Sequence, residues 1–255
     1  MKGQVTKYLT MKTFVFCTSW STNQERWSSL FARWINALEN SNLEYDQIFM
    51  IDDGSTVLPQ WEGVEVVDAD NLPESCPDSR GVIFHFDKNL GHRPPMKPED
   101  PPIDSPGWHR SFMFAAKLAE KYGFEKIIHI ESDAFLISQR MQDYVNNLNQ
   151  GWTTFWCPRH NFPENNIQII AGNSVQDFIN WNNLNEDYDT VYKGKFPEFY
   201  VPYTNIVKDF HGDRWGEFAP GMARVADPRC PPGVPRNADY VCQVFPESPC
   251  WWLDE

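Results

Sequence analysis

Over residues 11–140 short apolar runs alternate with segments of helical period, and this alternation constrains the fold more than any other feature. The runs are TFVFCTSW (13–20), YDQIFMIDDGS (45–55), GVEVVDA (63–69), GVIFHFDKN (81–89) and the stretch EKIIHIESDAFLIS (125–138). Between the first two, Trp27, Leu30, Phe31, Trp34 and Leu38 fall on one helical face. Thr22, with Glu25 three residues on, reads as the capping box of that helix. Ser105 and Pro106 open a second helix in the cap and first-turn positions each favours. It turns Trp108, Phe112, Ala115, Leu118, Ala119 and Tyr122 inward and stops at Gly123. A β-α-β alternation of this kind predicts an α/β fold: one Rossmann-like domain with a mostly parallel twisted sheet and helices on both faces.

Composition excludes several classes. A chain of 255 residues holds one large α/β domain or two small ones, and 41% hydrophobic with 15% aromatic residues implies a sizeable core. No apolar window reaches the roughly 18 residues that span a bilayer. The N-terminus MKGQVTKYLTMKTFVFC lacks the apolar core and cleavage site of a signal peptide, so a cytoplasmic protein is expected, and Met11 could itself be the natural start. The six cysteines (17, 76, 157, 230, 242 and 250) are scattered with no CxxC pair and read as reduced thiols. A net charge of -13 argues against nucleic acid and requires local positive charge wherever an anionic substrate binds.

The chemistry concentrates where strands end. Ile127, Ile128 and Ile130 belong to an apolar run, and Glu131, Ser132 and Asp133 follow at once. Open α/β sheets bind ligands outside the carboxyl ends of their strands. Three polar clusters lie at such ends: Thr18-Ser19-Trp20, Asp52-Asp53-Gly54-Ser55 and Glu131-Ser132-Asp133. Two carboxylates about 4 Å apart repel by about 4 kcal/mol at an effective dielectric of about 20. A divalent cation removes that penalty; oxygen ligands suit Mg²⁺ or Mn²⁺, and the ion would supply the charge that a diphosphate needs here. Blander readings stand beside these. DDGS is a common turn, and an acidic triplet can cap a helix or hold a salt bridge. His129, inside the apolar run, reads as a hydrogen-bonded core histidine, and His92 carries no assigned role. The proline-rich 93–106 segment reads as a surface loop of the kind that borders active sites.

The second half has fewer landmarks. NIQIIAGNSVQDFINWNN (166–183) reads as a strand, a Gly-Asn turn and a helix with Val175, Phe178, Ile179 and Asn182 on one face. KFPEFYVPYTNIVKDFHGDRWGEF (195–218) is dense in ionisable and aromatic groups. There Arg214 could hold a diphosphate with its guanidinium fork, or pair with Asp213 or Glu217.

The order of IDDGS after the second strand, NLGH followed by a helix containing WHRS, and an acidic triplet after an apolar strand resembles the GT-A glycosyltransferases, especially the family-2-like nucleotide-sugar enzymes. The resemblance covers about residues 11–140. It implies one domain over 1–255, with a nucleotide-sugar-binding half (11–140), an acceptor-binding half (141–218) and a Pro-rich C-terminal wrap (219–255). It also implies a metal-dependent transfer of sugar from a nucleoside-diphosphate donor, UDP favoured over GDP, to a glycan or other hydroxyl acceptor. Thr18 and Asp52 or Asp53 would lie against the nucleoside and Arg110 near the diphosphate, with Ser19, Asn89, Glu131, Ser132 and Arg214 completing donor binding. ESD stands where the family has its DxD motif, so Asp133 would be the principal ligand of Mn²⁺ or Mg²⁺, with Glu131 beside it. His211 would be a further ligand or a surface-loop histidine. An inverting enzyme needs a carboxylate base; Glu198 is the first choice, with Asp177 and Asp209 in reserve, and a retaining enzyme needs none. The rival readings are weaker. A nucleotide-sugar-forming nucleotidyltransferase would carry a basic Gly-rich loop where this chain has CTSWSTNQERW, and a dehydrogenase would carry GxGxxG. In a non-catalytic carbohydrate-binding protein the eleven tryptophans would stack on sugars, but most occupy helix faces where packing explains them.

Overall fold

Seven residues of β1 (Thr13–Ser19) form the centre of the sheet. Their side chains alternate between its two faces, Phe14 and Phe16 on one side, Val15 and Cys17 on the other, and all four are fully buried. A strand buried on both faces must be apolar at every position, which is why the run carries no alternation in the sequence. The structure is a computed structural model that describes residues 11–91, 105–185, 187, 196–215, 234–244 and 250–253. His92, most of the proline-rich loop, Glu217, Cys230 and most of the C-terminal wrap lie outside the described residues.

β1 pairs in parallel with β2 (Gln47–Asp52) on one side and, after a long excursion, with β5 (Lys126–Ile130) on the other. β4 (Gly81–His85) and β3 (Val64–Asp68) extend the sheet beyond β2, also in parallel. Beyond β5 the direction reverses. β8 (Phe162–Ala171) is antiparallel to β5, β7 (Gly151–Cys157) is antiparallel to β8, and β9 (Asn205–Val207) runs parallel to β7. The eight-stranded order is therefore β3-β4-β2-β1-β5-β8-β7-β9, mostly parallel as expected. A small second sheet joins β6 (Phe135–Leu136), β10 (Gly212–Asp213) and β11 (Tyr240–Val241).

Helices cover both faces. One side holds α1 (Gln24–Arg26), a π-helical turn (Trp27–Phe31), α2 (Ala32–Glu39) and α4 (Gln139–Asn147). The other holds α3 (Pro106–Tyr122) and α5 (Asn173–Leu184), packed against an aromatic core in which Phe14, Phe49 and Phe124 meet with ring centroids 4.9–5.7 Å apart. Each such ring stabilises the fold by about 1.5–3 kcal/mol through burial. The first helix is capped by Asn23, whose side chain accepts from the Arg26 amide at 2.9 Å, and not by Thr22. Either residue type can cap; the chain enters its helix one residue later than the capping-box spacing implies. α3 starts at Pro106 and ends at Gly123 (φ +68°), as read from the sequence. Lys126, buried at the start of β5, donates to the carbonyls of Val145 and Asn146 at the end of α4. No helix among the described residues is long and apolar enough to cross a membrane. The five described cysteines form no disulfide.

Candidate functional site

The chain leaves β1 on one side, builds β2, β3 and β4 outward, and returns on the other side as β5. This reversal makes the carboxyl ends of β1 and β5 the topological switch point, the place where open sheets bind ligands. Thr18 and Glu131 face each other across it. The Thr18 hydroxyl lies 2.9 Å from both Glu131 carboxylate oxygens and donates to them. Trp108 of α3 donates its indole N–H to Glu131 Oε1 at 2.6 Å. His129 Nε2 lies 3.0 Å from the same oxygen; since an ionised carboxylate only accepts, this nitrogen carries the proton. His129 is the hydrogen-bonded core histidine expected, packed between Phe16 and Phe112, and its partner is the triplet itself. Glu131 is thus fixed by three donors crowded on Oε1, which leaves Oε2 with acceptor capacity.

Asp133 contrasts with it. Its carboxylate receives no hydrogen bond from another described side chain, while its backbone carbonyl accepts from Val244 at 2.8 Å. Burial, then the neighbouring Glu131 and Glu164 carboxylates, push the Asp133 carboxyl up to about 7. The acid crowd includes a residue that sequence reading missed. Glu164 is fully buried near the start of β8, and because β8 is antiparallel to β5 its N-terminal end reaches the same sheet edge. The Glu131 amide donates to the Asn166 carbonyl at 2.9 Å there. Between Thr154 and Phe155 of β7 the register against β8 slips, leaving Asn165–Ile167 bulged, the kind of irregularity that re-aims side chains beside functional sites. Read alone, HNFPENN gives no strand period, so the linear pattern carried no signal for Glu164.

Arg214 closes the cluster. Its Nε and Nη2 reach the two Glu164 oxygens at 2.7 and 2.9 Å, and Nη2 also reaches Glu198 Oε1 at 2.7 Å and Asn165 Oδ1 at 3.1 Å. Burial alone would lower its pKa; the Glu164 and Glu198 carboxylates more than reverse this. Expected on a diphosphate or on Asp213 or Glu217, Arg214 is instead committed to Glu164 and Glu198, and Asp213 takes its backbone N–H at 2.7 Å. Glu198 opens α6 (Pro197–Tyr200); Oε1 is held by Arg214, and Oε2 is buried with no hydrogen-bond partner. The small sheet positions this half: Cys242, just after β11, donates to the Asp213 carbonyl, and Val244 reaches Asp133.

The Asp52-Asp53 cluster has a different character. Asp52 is fully buried and accepts from Ser19 Oγ, Ser55 Oγ, Ser55 N and His85 Nδ1. Asp53 accepts from Asn89, from the Leu90 and Gly91 amides and from Arg110. Burial raises the Asp53 carboxyl against the lowering effect of Arg110 and those amides. Gly54 (φ +73°) lies so close to Asn89 that a Cβ would stand 2.5 Å from its backbone nitrogen, which explains the glycine in IDDGS. Arg110 also caps the Lys88 carbonyl and lies over Phe86. Thr18, Ser19, Asp52, Asp53, Asn89 and Arg110 are therefore joined into one sheet edge, with most of their polar groups satisfied by protein. Ser132 is buried beside Glu131.

Three expected residues do not meet this group. Asp177 is on the exposed side of α5, whose buried face is Ser174, Val175, Phe178, Ile179 and Asn182. Asp209 is exposed after β9, its carbonyl accepting from Arg140. His211 is exposed, with its amide on Asp239 Oδ2 and its Nδ1 3.3 Å from the Asn237 carbonyl. Among the described residues no three His, Cys, Asp or Glu side chains converge as a metal-holding group. The donor set that remains, Glu131 Oε2 and the Asp133 carboxylate, consists of hard oxygens in an acid-rich corner. It fits Mg²⁺ or Mn²⁺ of the kind held by one or two carboxylates and completed by water or phosphate.

The chain matches no protein-family model and no curated protein. Among solved structures it is similar to a glycosyltransferase involved in the glycosylation of the major capsid of PBCV-1, at 9% identity and a TM-score of 0.41, over 91% of this chain and 94% of that one.

Proposed function

We propose that the chain is a metal-dependent glycosyltransferase that moves a sugar from a nucleoside-diphosphate donor to a hydroxyl acceptor. The observation that carries this reading is the group of carboxylates at the switch point between β1 and β5. There Glu131 is oriented by Thr18, Trp108 and His129 while the Asp133 carboxylate beside it receives no hydrogen bond from another described side chain. Buried carboxylates are held apart from water only when partnered. An acid crowd of Glu131, Asp133, Glu164 and Glu198 around one buried guanidinium leaves an excess of negative charge.

Glu131 and Asp133 would hold Mn²⁺ or Mg²⁺, and the bound ion would lend positive charge to the departing diphosphate. Thr18, Trp108 and His129 fix the Glu131 carboxylate, so little reorganisation is needed when a ligand arrives. Arg214 holds Glu198 by Oε1 and leaves Oε2 without a protein partner, the oxygen we assign as base. In an inverting transfer Oε2 takes the acceptor hydroxyl proton, the acceptor oxygen bonds to the anomeric carbon, and the bond from that carbon to the diphosphate oxygen breaks. The Asp52-Asp53 loop holds its own shape and that of the Asn89–Gly91 turn, framing the nucleoside side of the switch point.

Thermal shift with UDP, GDP and dTDP, each with and without Mn²⁺, tests the reading. Stabilisation by one of the three only with metal is expected, followed by metal-dependent hydrolysis of one donor in a panel of nucleotide sugars. No stabilisation by any nucleotide in the presence of Mn²⁺ would defeat it.

A further inference from the structure

The single turn of α6 carries two kinds of residue. Pro197 fixes its start, the Phe199 amide donates to the Phe196 carbonyl at 3.0 Å, and the Val201 amide donates to the Pro197 carbonyl at 3.1 Å. Glu198 turns inward to Arg214 and is buried. Phe196 and Phe199, three residues apart and so on the same side of the turn, are 45% and 72% exposed.

These rings belong to a larger group. Phe199 meets Phe162, at the start of β8, edge-on with centroids 6.0 Å apart, and meets Phe196 at 6.3 Å. Phe162 in turn stacks on His160 at 5.1 Å and lies 4.8 Å from the Arg214 guanidinium. The arginine that holds Glu198 therefore packs against the ring that backs Phe199. One exposed phenylalanine is ordinary; three aromatic rings gathered beside a buried carboxylate on a rigid turn mark a binding surface.

The neighbours of the patch specify its occupant. Glu164 and Glu198 both bind Arg214, so this border carries more negative than positive charge and repels uronates, phosphates and acidic peptides. Exposed His160 and Asn161 border Phe162 as well, and a hydrocarbon chain laid there would cover their polar groups without replacing the water. A sugar ring presents C–H groups to an aromatic face and hydroxyls at its rim, which suits both parts of the surface. We propose that Phe199, backed by Phe162 and Phe196, seats the acceptor, and that the acceptor is an uncharged carbohydrate. Its role as acceptor rests on the transfer reading, whereas sugar binding at Phe199 is measurable without it.

Saturation-transfer NMR on the full chain reads the binding, with methyl glucoside, methyl galactoside, methyl mannoside, maltose, cellobiose and lactose as probes and glucuronate as the charged control. At least one neutral sugar should give a signal at millimolar concentration, and glucuronate none. Phe199→Ala should weaken that binding about tenfold, and Phe199→Trp, which keeps an aromatic face, should restore it. The same sugar should accept transfer from the donor that is hydrolysed with Mn²⁺. In that assay Phe199→Ala should raise the acceptor KM about tenfold and leave donor hydrolysis and nucleotide binding at wild-type values. Urea unfolding checks each variant, and Phe196→Ala, at the other exposed ring, keeps the test open if Phe199→Ala fails to fold. No signal from any neutral sugar would overturn the proposal, as would wild-type affinity in both folded alanine variants or glucuronate binding as tight as that of the neutral glucoside. Transfer to a serine peptide or an alkanol in place of every sugar would also overturn it, as would a dimer in sedimentation that Phe199→Ala dissolves. If no donor is hydrolysed and no nucleotide binds, the transfer reading fails and the acceptor role with it, while NMR still decides sugar binding at Phe199.

Discussion

The two acidic clusters at the sheet edge look alike in sequence, IDDGS after β2 and IESDA after β5, yet the fold treats them in opposite ways. Asp52 and Asp53 are met by hydroxyls, backbone amides, a histidine and an arginine, so their charge is settled inside the protein. Glu131 is held mostly by Oε1, Asp133 has no side-chain donor among the described residues and stands among other carboxylates, and the Arg214 guanidinium is taken by Glu164 and Glu198. A carboxylate whose partners are all internal builds a loop; one kept short of partners at a switch point is available to a ligand. Which of the two a motif becomes depends on neighbours that converge only in three dimensions.

The largest effect should come from removing the one cation in the acid crowd. Arg214→Met strands Glu164 and Glu198, and losing one partner of a buried ion pair costs about 3–5 kcal/mol. Urea unfolding measures it, and a loss below about 1 kcal/mol would mean that these carboxylates are not held by Arg214.

Next in size, and opposite in kind, is Asp133→Asn. Metal-dependent nucleotide binding should fall by about 100-fold or more, roughly 2.7 kcal/mol, while stability holds or rises because a buried repulsion is removed. Calorimetric titration of nucleotide with Mn²⁺ reads the first effect and urea unfolding the second. Wild-type affinity in the variant would leave the comparison without its functional arm.

Asp52→Asn should do the reverse. It disturbs acceptors for Ser19, Ser55 and His85 and should lower stability by about 1–3 kcal/mol, with metal-dependent binding at saturating Mn²⁺ little changed. A strong loss of nucleotide affinity without loss of stability would move Asp52 from the loop to the ligand.

The parallel half was legible because each of its strands is local in sequence: an apolar run, a turn residue such as Gly54 with its positive φ, and a helix bounded by Pro106 and Gly123. All of the strand-end clusters read from the chain do converge along one edge. The antiparallel half was not legible for a physical reason. Glu164 reaches the edge through an antiparallel strand whose N-terminal part contains a bulge, and Arg214 through a three-stranded sheet assembled from segments about 100 residues apart. Long-range pairing leaves no period in the sequence. Trp108 was visible as a core residue but not as a donor, and His129 as hydrogen-bonded but without its partner, because packing and hydrogen bonding to Glu131 use different edges of the same rings.

The smallest predicted effect tests whether a settled charge is only structural, at the opposite end of the strand that delivers Glu131. Lys126 is buried at the start of β5 with its ammonium on the Val145 and Asn146 carbonyls, and burial, only partly opposed by Glu44, lowers its pKa to about 8. The usual lysine value near 10.5 holds in the unfolded chain. Below about pH 8 both states are protonated and the term is constant. Above it the folded protein loses this proton first, so the unfolded state binds more of it and the Lys126 contribution to stability rises with pH. Between about pH 8 and about pH 9.5 Lys126 alone should contribute a gain of about 1.5 kcal/mol, read as the difference in slope between wild type and variant, because the buried cysteine thiols, pushed up by burial, act in the opposite direction in both proteins. Lys126→Met removes this rise and leaves Mn²⁺-dependent nucleotide binding unaltered, because the lysine is at the far end of the strand from the carboxylates. Urea unfolding of both proteins across that pH range decides it. If the variant keeps the same slope, the rise belongs to another group; if it loses nucleotide binding while folded, the two ends of β5 are coupled and a settled charge is not merely structural.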